Sequence, residues 1–232
     1  MPMIARSTVA LWRPARLTGH APVVDIGGQP DTIRIMLAIQ SVSEKAERRL
    51  DAARAGVLAV RLAEGMGLFV RPEGRRIDRA LVGQAIETAA SAGLAEQVAS
   101  RPDARAPGGE TILAFLASLL DSPRPAAEIA HLAPIFGYPV LGRLVGTSVP
   151  SLRRYAAEDR RTPDAIAQRV HLVAQLVATL RGSFNEFGIR RWFERPHPAL
   201  SGRAPGEILA RGLDPADPDA AALLDAALRL LW

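Results

Sequence analysis

Apolar residues recur at helical spacing over most of this chain. From Asp31, a candidate N-cap, the positions Ile33, Leu37, Ile39, Leu50, Val57, Leu58 and Leu62 predict one long helix or two joined near residues 41–43, stopped by Gly65 and Gly67. A further helix is predicted from Asp78 as N-cap to about Ala92, ended by Gly93. Beyond residue 110 the pattern is helical almost throughout, over 111–120, 126–136, 140–145, 149–158 and 165–180, with Pro123, Gly137, Gly146 and Pro163 marking the breaks. Extended structure is expected only as short pieces, at 21–26 and at Leu68-Phe69-Val70. The reading is therefore a mainly all-α chain, a helical bundle with an irregular N-terminal arm and short strands at most. Residues 101–109, Arg-Pro-Asp-Ala-Arg-Ala-Pro-Gly-Gly, lack apolar periodicity and are expected to be a linker. They set the expected division into residues 1–105, 110–181 and 182–232.

Composition narrows the chemistry. The chain holds no cysteine, which removes disulfides, thiol nucleophiles and thiolate metal sites. No apolar run approaches the roughly 18 residues of a membrane span, and the expected place is the bacterial cytoplasm. Lys45 is the single lysine among 29 basic residues, and the net charge is +5. An arginine bias of that kind is first a genomic signature, so it permits a polyanionic partner without specifying one. His20, His131, His171 and His197 are scattered, with no pair at ligand spacing, and His131 and His171 are expected at a surface or interface. Gly27-Gly28 and Gly65-Met66-Gly67 lack the Lys-Ser/Thr of a phosphate loop, and no Gly-x-Ser-x-Gly is present. No catalytic set, metal site or cofactor is expected, and binding is favoured over catalysis.

Two segments carry positive signals. In Leu141 to Tyr155, a short helix ends at Gly146, Ser148 can cap the next helix, and Pro150 fits its first turn. Val149, Leu152 and Ala156 would face inward, leaving Ser151, Arg153 and Arg154 outward as in a recognition helix, with Arg160 and Arg161 beyond for phosphates. The same spacing occurs in helical hairpins that merely pack, and the DNA contact stays open on these residues alone. The second segment, residues 182–209, gathers Phe184, Phe187, Trp192 and Phe193, followed by Pro196-His197-Pro198-Ala199-Leu200-Ser201-Gly202-Arg203-Ala204-Pro205. It predicts a helix ending before Pro196, a rigid extended turn anchored by Leu200, and a short helix with Pro205 in its first turn.

This second segment resembles the toxin-binding domain of Xre/MbcA/ParS-like antitoxins, whose pattern has a tryptophan-ended helix, then Pro-Asn-Pro-Ala-Leu-Gly-Gly-Arg-Thr-Pro and a short leucine-rich helix. His197 stands where that pattern has asparagine, and Ser201 where it has the first glycine. The family places an Xre-like helix-turn-helix just upstream, so the resemblance covers about residues 111–232. It implies an antitoxin that dimerises or joins its toxin in a hetero-oligomer, occludes the active site of a RES-domain, NAD-consuming toxin, and represses its own operon. Toxin-binding residues implied in this way are Trp192, Arg195, Pro196, His197, Pro198, Leu200, Gly202, Arg203, Pro205, Leu231 and Trp232. The acidic run at 214–219 would serve a tail that plugs the toxin's cleft, so that cutting after Gly212 would spare the fold. The alternative from another class is a DNA-binding transcriptional regulator without a toxin, and a third is an adaptor of structural role.

Overall fold

The computed structural model describes residues 51–214 and 217–230. Expectations for the arm and for a helix start at Asp31 fall outside these residues, as do Leu231 and Trp232. The protein is all-α: among the described residues no strand forms, and the only β-like feature is an isolated bridge between His197 and Arg203. Leu68-Phe69-Val70 makes no strand; Leu68 and Phe69 are buried as loop residues, while Val70 is exposed.

Helix α1 covers residues 51–65, and α2 spans Arg79–Ser91. The Asp78 side chain caps α2 by accepting from the Leu81 amide at 2.8 Å, as its sequence position predicts. A four-residue turn of helix, α3 (Glu96–Ala99), leads to α4 (Gly109–Leu120). The apolar faces of α1, α2 and α4 close one core, with Leu62, Met66, Leu81, Ile86, Phe115 and Leu119 inaccessible to solvent.

Residues 101–109 depart from the expected linker. They form turns that are packed onto α2, with Ala104 buried in the first core. Asp103 organises the segment: its carboxylate accepts from the Gly108 amide and the Thr111 hydroxyl, each at 2.8 Å, and those hydrogen bonds hold it below the usual aspartate range. Polar composition imitates a linker here because the residues are spent on local hydrogen bonds rather than on solvent. Apolar packing therefore runs through the expected boundary near 105 and draws α4 into the N-terminal core.

The second core is built by α5 (Pro125–Phe136), α6 (Tyr138–Val145), α7 (Val149–Ala156), α8 (Asp164–Leu180), α9 (Glu186–Glu194), a 3₁₀ turn (Pro198–Leu200), α10 (Pro205–Ala210) and α11 (Pro218–Leu228). Helix α8 runs through its middle. Eleven of its 17 residues are buried, including every residue from Val170 to Ala174, so over that stretch it is enclosed on every side, while its first turns keep Asp164, Ala165 and Gln168 exposed. Its Ala178 also contributes to the first core, which joins the two. The expected separate unit at 182–232 does not have a core of its own, since α9 to α11 share theirs with α5 to α8.

His171 lies inside, contrary to its expected surface or interface position. Its Nδ1 is 2.6 Å from Glu128 Oε1 on α5, and its Nε2 donates to the Leu120 carbonyl at the end of α4 over 3.0 Å. Both side chains are at least 95% buried. One imidazole thus links α4, α5 and α8 where the two cores meet.

Candidate functional site

The two-helix turn forms as its spacing predicts. Gly146 ends α6 in the left-handed region at φ 70°, and Ser148 caps α7 by accepting from the Ser151 amide at 3.3 Å. The turn is tight: a Cβ on Gly142 would lie 2.7 Å from the Thr147 carbonyl oxygen, so the backbones meet where α6 ends. Inward positions differ from expectation. Leu152 and Tyr155 are buried, whereas Val149 and Ala156 are half-buried. Pro150, Arg153 and Arg154 of α7, with Ala157 at its C-cap, then share an exposed stripe at spacings of three and four. Ser151 is half-buried and is occupied by its hydroxyl contact with Ser148 at 2.9 Å.

The arginines of this region do four different things. Arg153 lies over the Tyr138 ring at 5.4 Å, which orients it along the start of α6. Arg161 reaches Asp164 at 3.4 Å, with both side chains highly exposed. Arg169 is spent internally, donating to the Leu213 and Gly212 carbonyls at 3.1 and 3.0 Å. Arg143, Arg154 and Arg160 are exposed and make no hydrogen bond or ion pair with the described residues. The local basic excess is accordingly carried to solvent by Arg143, Arg153, Arg154, Arg160 and Arg161.

The Pro-His-Pro segment folds into a closed turn. Asn185 caps α9, accepting from the Gly188 amide at 2.9 Å, and α9 stops at Glu194 before Pro196. The His197 amide donates to the Arg203 carbonyl at 3.1 Å and the Gly202 amide donates back to the His197 carbonyl at 3.0 Å. Between them Ser201 takes φ 55° and Gly202 φ 75°. Ser201 thus adopts a left-handed conformation more usual for glycine, inside a turn closed by backbone hydrogen bonds. His197 Nε2 donates to the Trp192 carbonyl at 2.9 Å, and its ring lies 5.1 Å from the indole.

Burial sorts the residues of this segment by task. Trp192, Leu200 and Pro205 are core residues, and Trp192 packs edge-on against Phe193 at 5.2 Å. Phe193 in turn meets Phe136 of α5 at 4.9 Å. Arg203 is half-buried and forks onto Asp219 of α11 at 2.8 and 2.7 Å, which holds Arg203 above and Asp219 below their usual values. Arg195, Pro196, Pro198 and Gly202 are exposed, His197 is half-exposed, and Phe187 shows 64% of its surface.

These contacts correct the expected free acidic tail. Residues 218–228 are a helix whose Leu223 and Ala227 are fully buried in the second core, and Asp219 is tied to Arg203. Cutting after Gly212 would remove a wall of that core rather than spare it. Sequence spacing could not find the Arg203–Asp219 fork or the Tyr138 platform, because the first joins the Pro-His-Pro turn to α11 and the second joins α6 to α7. Among the described residues no group of three or more acidic, histidine or cysteine side chains could hold a metal ion, and no helix is long and apolar enough to cross a membrane. No known protein family, curated protein or solved structure matches the chain.

Proposed function

We propose that this protein is an antitoxin that binds a RES-domain, NAD-consuming toxin through its C-terminal region and occludes the toxin's active site, with DNA binding through α7 as the autoregulatory arm. The observation that carries the reading is the Pro196 to Pro205 segment. Its core residues Leu200 and Pro205, with Trp192 of α9, hold a bridged turn that presents Pro196, Pro198 and Gly202 outward beside Arg195. A rigid exposed edge of this kind binds without a large ordering cost. Arg203 and Trp192 serve the toxin contact indirectly, as supports of that edge.

The test is coexpression with a small RES-like toxin encoded beside this chain. A stable complex is expected, and Pro196→Ala combined with Arg195→Glu is expected to release the toxin while the antitoxin stays folded. Removal of Leu231 and Trp232 alone tests the plug, since α11 is left in place. Failure of any neighbouring toxin to copurify would overturn the antitoxin reading.

The second reading is a DNA-binding regulator without a toxin, favoured by the outer face of α7. Arg153→Ala with Arg154→Ala is expected to weaken operator binding by about 10- to 100-fold and to reduce the salt dependence, since each phosphate contact contributes a slope of about 0.9 in log Kd against log salt. Duplex titrations at several salt concentrations check this; unchanged binding removes both residues from the interface.

A further inference from the structure

A cleft of about 330 Å³ opens between the start of α5 and the end of α7 with the segment that follows it. Arg124, Arg160 and Arg161 line it together with Tyr155, Thr162 and the first turn of α5. Three features of its lining are independent of one another. No side chain caps α5, so the Ala126 and Ala127 amides at the cleft are left without a partner from a cap. Tyr155 is only 5% exposed, yet its hydroxyl makes no hydrogen bond with the described residues. That hydroxyl is not sealed by protein either, which leaves the cleft as its outlet. Finally, three arginines line the cleft against one acidic residue, Glu158.

We propose that this cleft binds a phosphoryl group. The donors exceed what the two oxygens of a carboxylate can accept, whereas a phosphoryl group offers three outer oxygens to arginine forks, hydroxyls and helix amides together. Charge agrees in sign: the three arginines less Glu158 leave a formal excess of two among the lining residues, which falls to one when Asp164 is counted against Arg161. Asp164 takes part of the Arg161 charge at 3.4 Å and lies outside the cleft lining, so Arg124 and Arg160 are the principal cations. The volume is at the small end for ligand sites, which suits a phosphate monoester or one backbone phosphate rather than a dinucleotide.

The experiment is a titration of the full chain with inorganic phosphate, followed by phosphorus NMR. A saturable response is expected, weakened about tenfold or more by Arg124→Gln and several-fold by Tyr155→Phe, which keeps the buried ring. Thermal unfolding of both variants checks the fold. No saturable response, or one that is unchanged in both variants, overturns the proposal. Adding duplex DNA to the phosphate-loaded protein separates the sources: release of phosphate marks the DNA backbone as the occupant, and retention marks a free phosphate ester.

Discussion

Replacing His171 with alanine is expected to destabilise the protein by about 3–5 kcal/mol, seen as a large drop in the urea midpoint. The geometry sets the size of the effect. Leu120 O can only accept, so Nε2 of His171 carries a hydrogen, and the 2.6 Å contact at Nδ1 holds a proton between the ring and Glu128 Oε1. Written as imidazolium with carboxylate or as imidazole with carboxylic acid, the pair is neutral as a unit. Alanine removes one half and leaves a fully buried carboxyl group whose second oxygen, Oε2, already lacks a partner. It also opens a void at the seam between α4, α5 and α8. Combining Glu128→Leu with His171→Leu is expected to recover about half of the loss, because no buried charge then remains and only the Leu120 carbonyl is orphaned. Equal losses for the single and double variants would show that packing, rather than the buried polar pair, dominates.

Gly83→Ala is expected to destabilise by about 1–3 kcal/mol, although alanine is the better helix former by about 1 kcal/mol. A Cβ on Gly83 would sit 2.3 Å from the Arg105 carbonyl oxygen, 2.7 Å from the Arg105 carbonyl carbon and 2.9 Å from the Ala104 oxygen. Every one of these is backbone, so no side chain can swing aside. Either α2 shifts or the 101–109 turns lift away, and the second course breaks the Asp103 contacts with Gly108 and Thr111. Trypsin reports which one moves: lifted turns expose the bond after Arg105 and are cut faster. Ser91→Ala, at an exposed position of the same helix, is the matched control and is expected to change stability by less than about 0.5 kcal/mol. Gly83→Ala with wild-type stability would mean that the segment is held only loosely on α2.

Local signals were legible wherever the physics is local. Asp78, Ser148 and Asn185 cap their helices; among these, Asp78 and Ser148 stand out in the sequence as oxygen-bearing residues just before an apolar helical pattern. Gly146 ends α6 where a left-handed residue is required, and Pro205 opens α10 where a missing amide costs nothing. The outer face of α7 followed from the same periodicity, with a small rotation that put Tyr155 inside and Val149 at the margin.

What failed was whatever depends on partners distant in sequence. Residues 101–109 have a linker's composition, and only their contact with Gly83 reveals them as part of a core. The acidic run looked like a free tail because nothing nearby pairs with it; Arg203, 16 positions before Asp219, does so across a turn. His171 looked like a surface or interface residue because a polar side chain on a helix normally faces water. Helix α8 has no outer face over that stretch, and Glu128 is 43 positions away.

The sequence by itself determined that this protein is all-α, where most of its helices begin and end, and that its arginine-bearing turn precedes an aromatic Pro-His-Pro segment. Those properties rest on backbone preferences and hydrophobic period, which act within a few residues. Tertiary structure alone decided which arginines stay exposed, which carboxylates are tied down, and that Tyr155 and Arg124 share a cleft with Arg160 and Arg161. Those outcomes depend on how α5, α7 and α8 pack against one another, and packing is a property of surfaces brought together by the fold rather than of any one stretch of chain.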